Sequence, residues 1–204
     1  EWNYQFGLRT ESSNYDGTLL GKDSSFNVKF PFSIFPSAFI THHLNDKEDI
    51  QLNYARKINR PGFFQLLPFV DYTDPQNLNI GNPNLKPEFT NSFEFNYNYA
   101  YKKGANLLIS AYYKQTNNLI TNYIYRAENP DTTFNKSDSV YFTTYVNADY
   151  SRSFGLEFTN RITIAKIWDF TTNLNLFNSK IYGTDKQSYI SSERWSWFLK
   201  VNNN

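Results

Sequence analysis

Few residue types able to do chemistry occur in this chain, and their spacing is unhelpful to it. His42 and His43 are the only histidines. Adjacent residues on a strand face opposite sides, so they cannot readily ligate one metal, and a solvated position at a strand end suits them. Glu157 and Arg161 stand four apart on what would be one strand face, where they could pair or line a polar channel. Asp16–Gly17, Asp71, Asp74 and Asp131 could hold calcium. No twelve-residue calcium-loop spacing appears, however, and turn chemistry accounts for each of them. Asn135–Lys136–Ser137 spells a glycosylation sequon. Tyr72, Phe134, Tyr141 and Tyr189 could stack on a sugar ring or a planar chelate. No glycine-rich phosphate loop, nucleophile elbow or histidine-based triad is present. The expectation is a protein that is not an enzyme and needs no cofactor.

Composition narrows the class. The 204 residues carry 20 Lys+Arg and 19 Asp+Glu, so a formal charge of +1 gives no electrostatic case for nucleic acid. Zero Cys excludes disulfides and thiolate chemistry. Mean hydropathy is −0.63, and no run reaches the roughly 18 apolar residues of a membrane helix. Membrane strands alternate apolar with polar residues and remain compatible with that value. No signal peptide heads the chain, which opens at Glu1, so the expectation is either a removed leader or a piece of something longer.

Period-two alternation dominates. Trp2, Tyr4, Phe6 and Leu8 share one face against Asn3, Gln5, Gly7 and Arg9. Phe93, Phe95, Tyr97, Tyr99 and Tyr101 form an aromatic row, followed by Leu107, Ile109, Ala111 and Tyr113. Phe154, Leu156, Phe158, Ile162 and Ile164 make the next row, then Trp168, Phe170, Leu174 and Leu176, then Trp195, Trp197, Leu199 and Val201. The chain is all-β. Short charged connections at Asn45–Asp49, Lys102–Ala105 and Ala165–Trp168 alternate with long ones near 12–28, 67–88, 127–139 and 183–192. That predicts about eight antiparallel strands running up and down, with tight turns at one rim and large loops at the other. Outer-membrane barrels have this asymmetry, with the short turns on the periplasmic side. Tyr99, Tyr101, Trp168, Trp195 and Trp197 are the candidate membrane-interface aromatics, their rings apolar and their OH or NH groups able to stay hydrated.

Three features strain the pattern. Pro36 reads as a strand start. Arg56 falls on the face of Ile50, Leu52 and Tyr54, which calls for a bulge, a register change or a buried face, because an Arg facing lipid at midplane costs roughly 2–4 kcal/mol. Asn160 interrupts its own apolar row.

The segment from Tyr54 to Phe89 carries the most specific signal. It contains Arg60–Pro61, Leu67–Pro68–Phe69, Asp74–Pro75 with Asn77, and Gly81–Asn82–Pro83–Asn84–Leu85–Lys86–Pro87–Glu88. Together these resemble the C-terminal barrel of TonB-dependent outer-membrane receptors, in the barrel family common among Bacteroidetes. The resemblance implies a barrel of about 22 strands in the bacterial outer membrane, plugged by an N-terminal domain. Such receptors import iron chelates, cobalamin or glycan fragments, driven by an inner-membrane energy-coupling complex. Only about eight strands fit in 204 residues and no plug or coupling box is present, so a single partial barrel domain over 1–204 is expected. The chain also ends on Asn202–Asn203–Asn204 rather than the terminal aromatic of the family. The implied partners are outer-membrane lipid, the remaining strands and plug, the coupling complex through that plug, and a small-molecule or glycan substrate. Two alternatives stay open: a complete eight-stranded barrel with a structural or adhesive role, and a soluble carbohydrate-binding sandwich.

Pro68, Pro75, Pro83 and Pro87 fix four φ angles in the motif loop, and Gly81–Asn82 tolerate positive φ. The loop is therefore expected to be ordered scaffolding rather than a ligand site.

Overall fold

A computed structural model describes residues 1–18, 25–130, 139–165, 167–185 and 188–203. Asp131, Phe134 and the sequon at Asn135–Lys136–Ser137 lie outside the described residues, as does the side chain of Tyr189.

Eight long strands follow the alternating rows: β1 (Trp2–Thr18), β2 (Ser25–Asn45), β3 (Glu48–Asn59), β6 (Glu88–Lys102), β7 (Ala105–Glu128), β8 (Ser139–Ile164), β9 (Trp168–Asp185) and β10 (Ser188–Asn203). Between β3 and β6 lie a one-turn helix α1 (Phe63–Leu66) and two short strands, β4 (Val70–Asp71) and β5 (Asn77–Ile80). The long strands pair in the order β1-β2-β3-β6-β7-β8-β9-β10, every neighbour antiparallel. This is one continuous up-and-down sheet rather than two packed layers, and it is not closed. Among the described residues β1 pairs only with β2, and β10 only with β9.

Register sorts the side chains as the sequence alternation requires. Leu52, Phe95, Ala111, Leu156, Leu176 and Trp197 align across six strands on one face. Gln51, Asn96, Ser110, Glu157, Asn175 and Phe198 align on the other. Tight turns join β2 to β3, β6 to β7 and β8 to β9. Gly104 takes φ +77° in the second and Ala165 φ +51° in the third.

The opposite rim departs from expectation. Long loops were expected at 12–28 and 183–192, yet β1 runs to Thr18 and β9 to Asp185 as paired strand, whereas β7 ends at Glu128 and β8 begins at Ser139, in keeping with the connection expected near 127–139. Only residues 186–187 separate β9 from β10. The polar and small residues there read as turn formers, but cross-strand pairing outweighs local propensity. Pro36 is not a strand start either. It pairs with Leu8 inside β2, and the β2–β3 ladder begins one residue later at Ser37↔Ala55. Its missing N–H therefore sits where β3 offers no partner.

Strand lengths are uneven. β3 and β6 have 12 and 15 residues, while the flanking β2, β7 and β8 have 21, 24 and 26. This leaves a notch between two tall hairpins, and the segment 60–87 fills it. Leu66 and Leu85 pack with Phe30 of β2, against Val28, Ile120 and Tyr145. A second cluster joins Leu78 to Val140 and Phe142, where β5 pairs in parallel with β8 at Asn77–Asn79. That pairing covers a stretch of β8 beyond the end of the β8–β9 ladder, an edge otherwise left open.

Candidate functional site

The polar face forms a concavity of about 390 Å³ spanning β6 to β9. Its lining includes Glu94, Tyr112, Lys114, Glu157, Asn175 and Phe177. Tyr112 donates its hydroxyl to Asn175 Oδ1 at 3.3 Å, and the Lys114 ammonium stands 5.3 Å over the Tyr112 ring. Lys114 and Glu94 are 4.0 Å apart. Carboxylate, ammonium, phenol and amide groups thus converge on one hollow. Among the described residues no three metal-ligating side chains come together.

Glu157 and Arg161 both occupy this polar face, but they do not pair with each other. Glu157 accepts from Asn173, and Arg161 reaches Asp169 at 3.4 Å beside the tight turn. His42 and His43 split to opposite faces: His42 packs edge-on against Trp2 with centroids 4.0 Å apart, and His43 Nδ1 lies 2.5 Å from Asp49. Among the described residues, neither histidine belongs to a group of three metal-ligating side chains.

The receptor-like motif is engaged with both backbone and side chains of the surrounding strands and of the loop itself. Arg60 binds Glu11 of β1 at 2.8 Å, and Pro61 is buried beside it. Gly81 donates to the Leu67 carbonyl. A Cβ at this position would lie 2.7 Å from Leu67 N and 2.8 Å from Gln65 O, so only glycine fits. Asn82 donates to the Tyr145 carbonyl at 2.9 Å, and its side-chain oxygen caps Asn84 N. Pro83 is exposed and Leu85 buried. Asn147 clamps Lys86 through both its amide groups and also reaches the Asn118 carbonyl. Pro87 lies against Asn118, which takes φ +55°. Glu88 accepts from Ile120 N at 2.7 Å and Asn59 Nδ2 at 2.8 Å, so its carboxylate spans β3 and β7. Pro68 is exposed in the stretch that follows α1. Asp74 opens the Pro75 turn and is held below the usual carboxylate range, mainly by the Asn77 side-chain amide. Asp71 is lowered likewise by the Thr73 hydroxyl. Tyr72 and Tyr141 are exposed.

On the apolar face the aromatics gather near both ends of the strands. Tyr99 and Tyr101 lie at the tight-turn rim with ring centroids 6.0 Å apart, and Trp168 lies 6.0 Å from Phe170. Asn160, which breaks its apolar row, accepts from the Tyr101 hydroxyl at 2.9 Å. Toward the other end, register aligns Tyr54, Phe93, Tyr113, Phe154, Asn178 and Trp195. Trp197 lies two residues nearer the tight-turn rim on the same face. The next row outward is Arg56, Asn91, Gln115, Arg152, Lys180 and Glu193. Tyr54 and Tyr113 point their hydroxyls into that polar row, donating to Asn91 at 3.0 Å and Gln115 at 2.8 Å.

Arg56 therefore needs none of the expected devices. The β3–β6 register runs unbroken from Glu48 to Asn59, and the Arg56 guanidinium rests 5.1 Å over the Phe89 ring in the outer polar row. Sequence reasoning missed this row because it is assembled from six strands. No local spacing announces it.

A model of the outer membrane protein beta-barrel family matches residues 1–204. A search of curated proteins finds no match. Solved structures similar in fold include the siderophore receptor PirA from Pseudomonas aeruginosa, at 14% identity and TM-score 0.61, over 97% of this chain and 41% of that one. The ferric enterobactin receptor PfeA mutant R480A from the same organism, in complex with enterobactin, aligns at 15% identity and TM-score 0.56, over 80% and 28%. The copper transporter OprC aligns at 13% identity and TM-score 0.52, over 90% and 30%. The chain spans less than half the length of each of these three.

Proposed function

The chain belongs to the outer membrane protein beta-barrel family, and on that premise we propose that it is one arc of a larger TonB-dependent receptor barrel that imports a scarce nutrient. The family places the protein in the bacterial outer membrane. In this reading the apolar face meets lipid, the polar concave face lines the lumen with Glu157 and Arg161 among its residues, and the tight turns face the periplasm. Tyr99, Tyr101 and Trp168 then serve the inner interface, and Trp195 and Trp197 the outer one.

The observation that carries the proposal is the open sheet. β1 and β10 each leave an edge without a strand partner among the described residues. Exposed strand edges invite pairing, and within a bilayer they must be paired. Further strands of the same receptor would supply those partners. A plug would fill the lumen and connect to an inner-membrane energy-coupling complex. The concavity offers hydrogen-bonding groups of both signs, which suits a substrate rich in polar groups, such as an iron chelate, cobalamin or a glycan fragment. The motif from Arg60 to Glu88 acts as scaffold, since Arg60, Asp74, Asn82 and Glu88 are each engaged by backbone groups or side chains of the chain itself.

The test uses cells carrying the whole receptor. Growth is scored on a ferric catecholate, on cobalamin or on an oligosaccharide as the sole source of iron, cobalamin or carbon. Loss of one of these uptakes on deleting the receptor, and again on deleting the coupling complex, is the expected result. Unchanged growth on all three would contradict the proposal. A disulfide formed between Gln5→Cys on β1 and Phe198→Cys on β10 of one chain would instead show closure at eight strands.

A further inference from the structure

The apolar face carries charge where a lipid-facing surface should carry none. Arg152 of β8 is in register with Lys180 of β9, which is in register with Glu193 of β10. The row continues through Gln115, Asn91 and Arg56, giving three cations against one carboxylate. Lys180 Nζ is 3.2 Å from Glu193, leaving that carboxylate partly neutralised. Arg152 Nε is shielded from solvent yet has no hydrogen-bond partner. A guanidinium offers five donors in a planar fork, and one N–H left unpaired in a shielded place is costly.

The depth of the cluster identifies what covers it. Phe154 and Trp195 lie immediately inward, edge to face with centroids 5.6 Å apart. From Arg152 to Ile164 at the tight turn, β8 advances 12 residues, roughly 30 Å of height at about 3.3 Å per residue and a tilt of about 40°. The apolar band of such barrels is about 25 Å tall, so the cluster stands at the outer edge of the hydrocarbon. Lipid headgroups, not acyl chains, occupy that level.

The geometry points to a site for the phosphate of an anionic, phosphate-bearing lipid of the outer leaflet. Arg152 offers its fork to two phosphate oxygens and Lys180 supplies the second cation, held in place by Glu193. Farther along the same face an apolar furrow of about 480 Å³, bordered by Ala38, Leu52, Phe95, Ala111 and Tyr113, takes an acyl chain of that lipid. This rests on the reading of the apolar face as lipid-facing.

The experiment purifies the whole receptor in a neutral maltoside detergent and follows retention of bisphosphorylated lipid A by native mass spectrometry. Its dephosphorylated form and inorganic phosphate are run in parallel. The double variant R152Q/K180Q is expected to hold lipid A at least about tenfold less tightly, the scale of losing two charge-assisted contacts. The turn variant K103Q should bind as the parent does, and heat-modifiable gel mobility should show all three folded. Equal retention by the double variant, equal loss in K103Q, or inorganic phosphate held as well as the lipid would overturn the site. Quenching of Trp195 by brominated acyl chains separates the two levels. If the quenching persists while binding ignores the phosphate, only the site fails; if it is absent, the lipid-facing reading fails as well.

Discussion

Tyr112 of β7 lies across β8 over the bare α-carbon of Gly155 and hydrogen-bonds Asn175 of β9. A Cβ on Gly155 would come within 2.8 Å of the Tyr112 hydroxyl and 2.6 Å of the Leu176 carbonyl. The glycine is therefore what lets one tyrosine bridge three strands on the floor of the polar hollow.

Gly155→Ala is expected to lift Tyr112 off the sheet and cost about 1–3 kcal/mol, as forced overpacking does. Tyr112→Phe should cost less, about 0.5–1.5 kcal/mol for one hydrogen bond. Denaturant unfolding of the receptor in detergent measures both. A double variant as unstable as the sum of the two singles would show that the bridge does not depend on the glycine.

Gly81→Ala tests the clamp that holds the notch loop. The added methyl meets the Leu67 and Gln65 backbone, neither of which can swing aside. The loop from 62 to 80 should become readily cut by protease while the eight long strands stay intact, because they have their own ladders. Resistance equal to that of the parent would mean that the loop is held by the Leu78 and Leu85 packing alone.

Glu157 and Arg161 are each bonded elsewhere. A double-mutant cycle between them should give coupling near zero, whereas Glu157 with Asn173 should give about 0.5–1.5 kcal/mol. The Arg161–Asp169 pair is well exposed, so Arg161→Ala alone should cost less than about 1 kcal/mol. Measurable coupling of Glu157 to Arg161 would contradict the observed pairing.

Much of this architecture was legible in the residues. Rows such as Phe93, Phe95 and Tyr97 face one way because strand side chains alternate, and the three tight turns sit where charged, short connections were read. The outer rim was less legible. Ser13, Asn14 and Asp16 look like a loop, yet β1 carries them paired against β2 as strand. Beyond the bilayer neither face needs to be apolar, so the alternation that marks a strand fades while the ladder continues. Glu157 and Arg161 were placed on one face by spacing, but their actual partners, Asn173 and Asp169, lie on the next strand. The parallel pairing of β5 with β8 and the row from Arg56 to Glu193 join residues 60 to more than 130 positions apart. One-dimensional pattern carries no trace of such meetings.

The most direct test of the account is the two-faced exposure of β7. The chain has no native cysteine, so single nitroxide labels can be scanned from 107 to 114 in the whole receptor after any cysteines elsewhere in it are removed. Collision with dissolved oxygen should be highest at 107, 109, 111 and 113, and collision with a water-soluble nickel chelate highest at 108, 110, 112 and 114. Equal nickel access on both faces, or no two-residue period, would contradict a strand with lipid on one side and a polar lumen on the other.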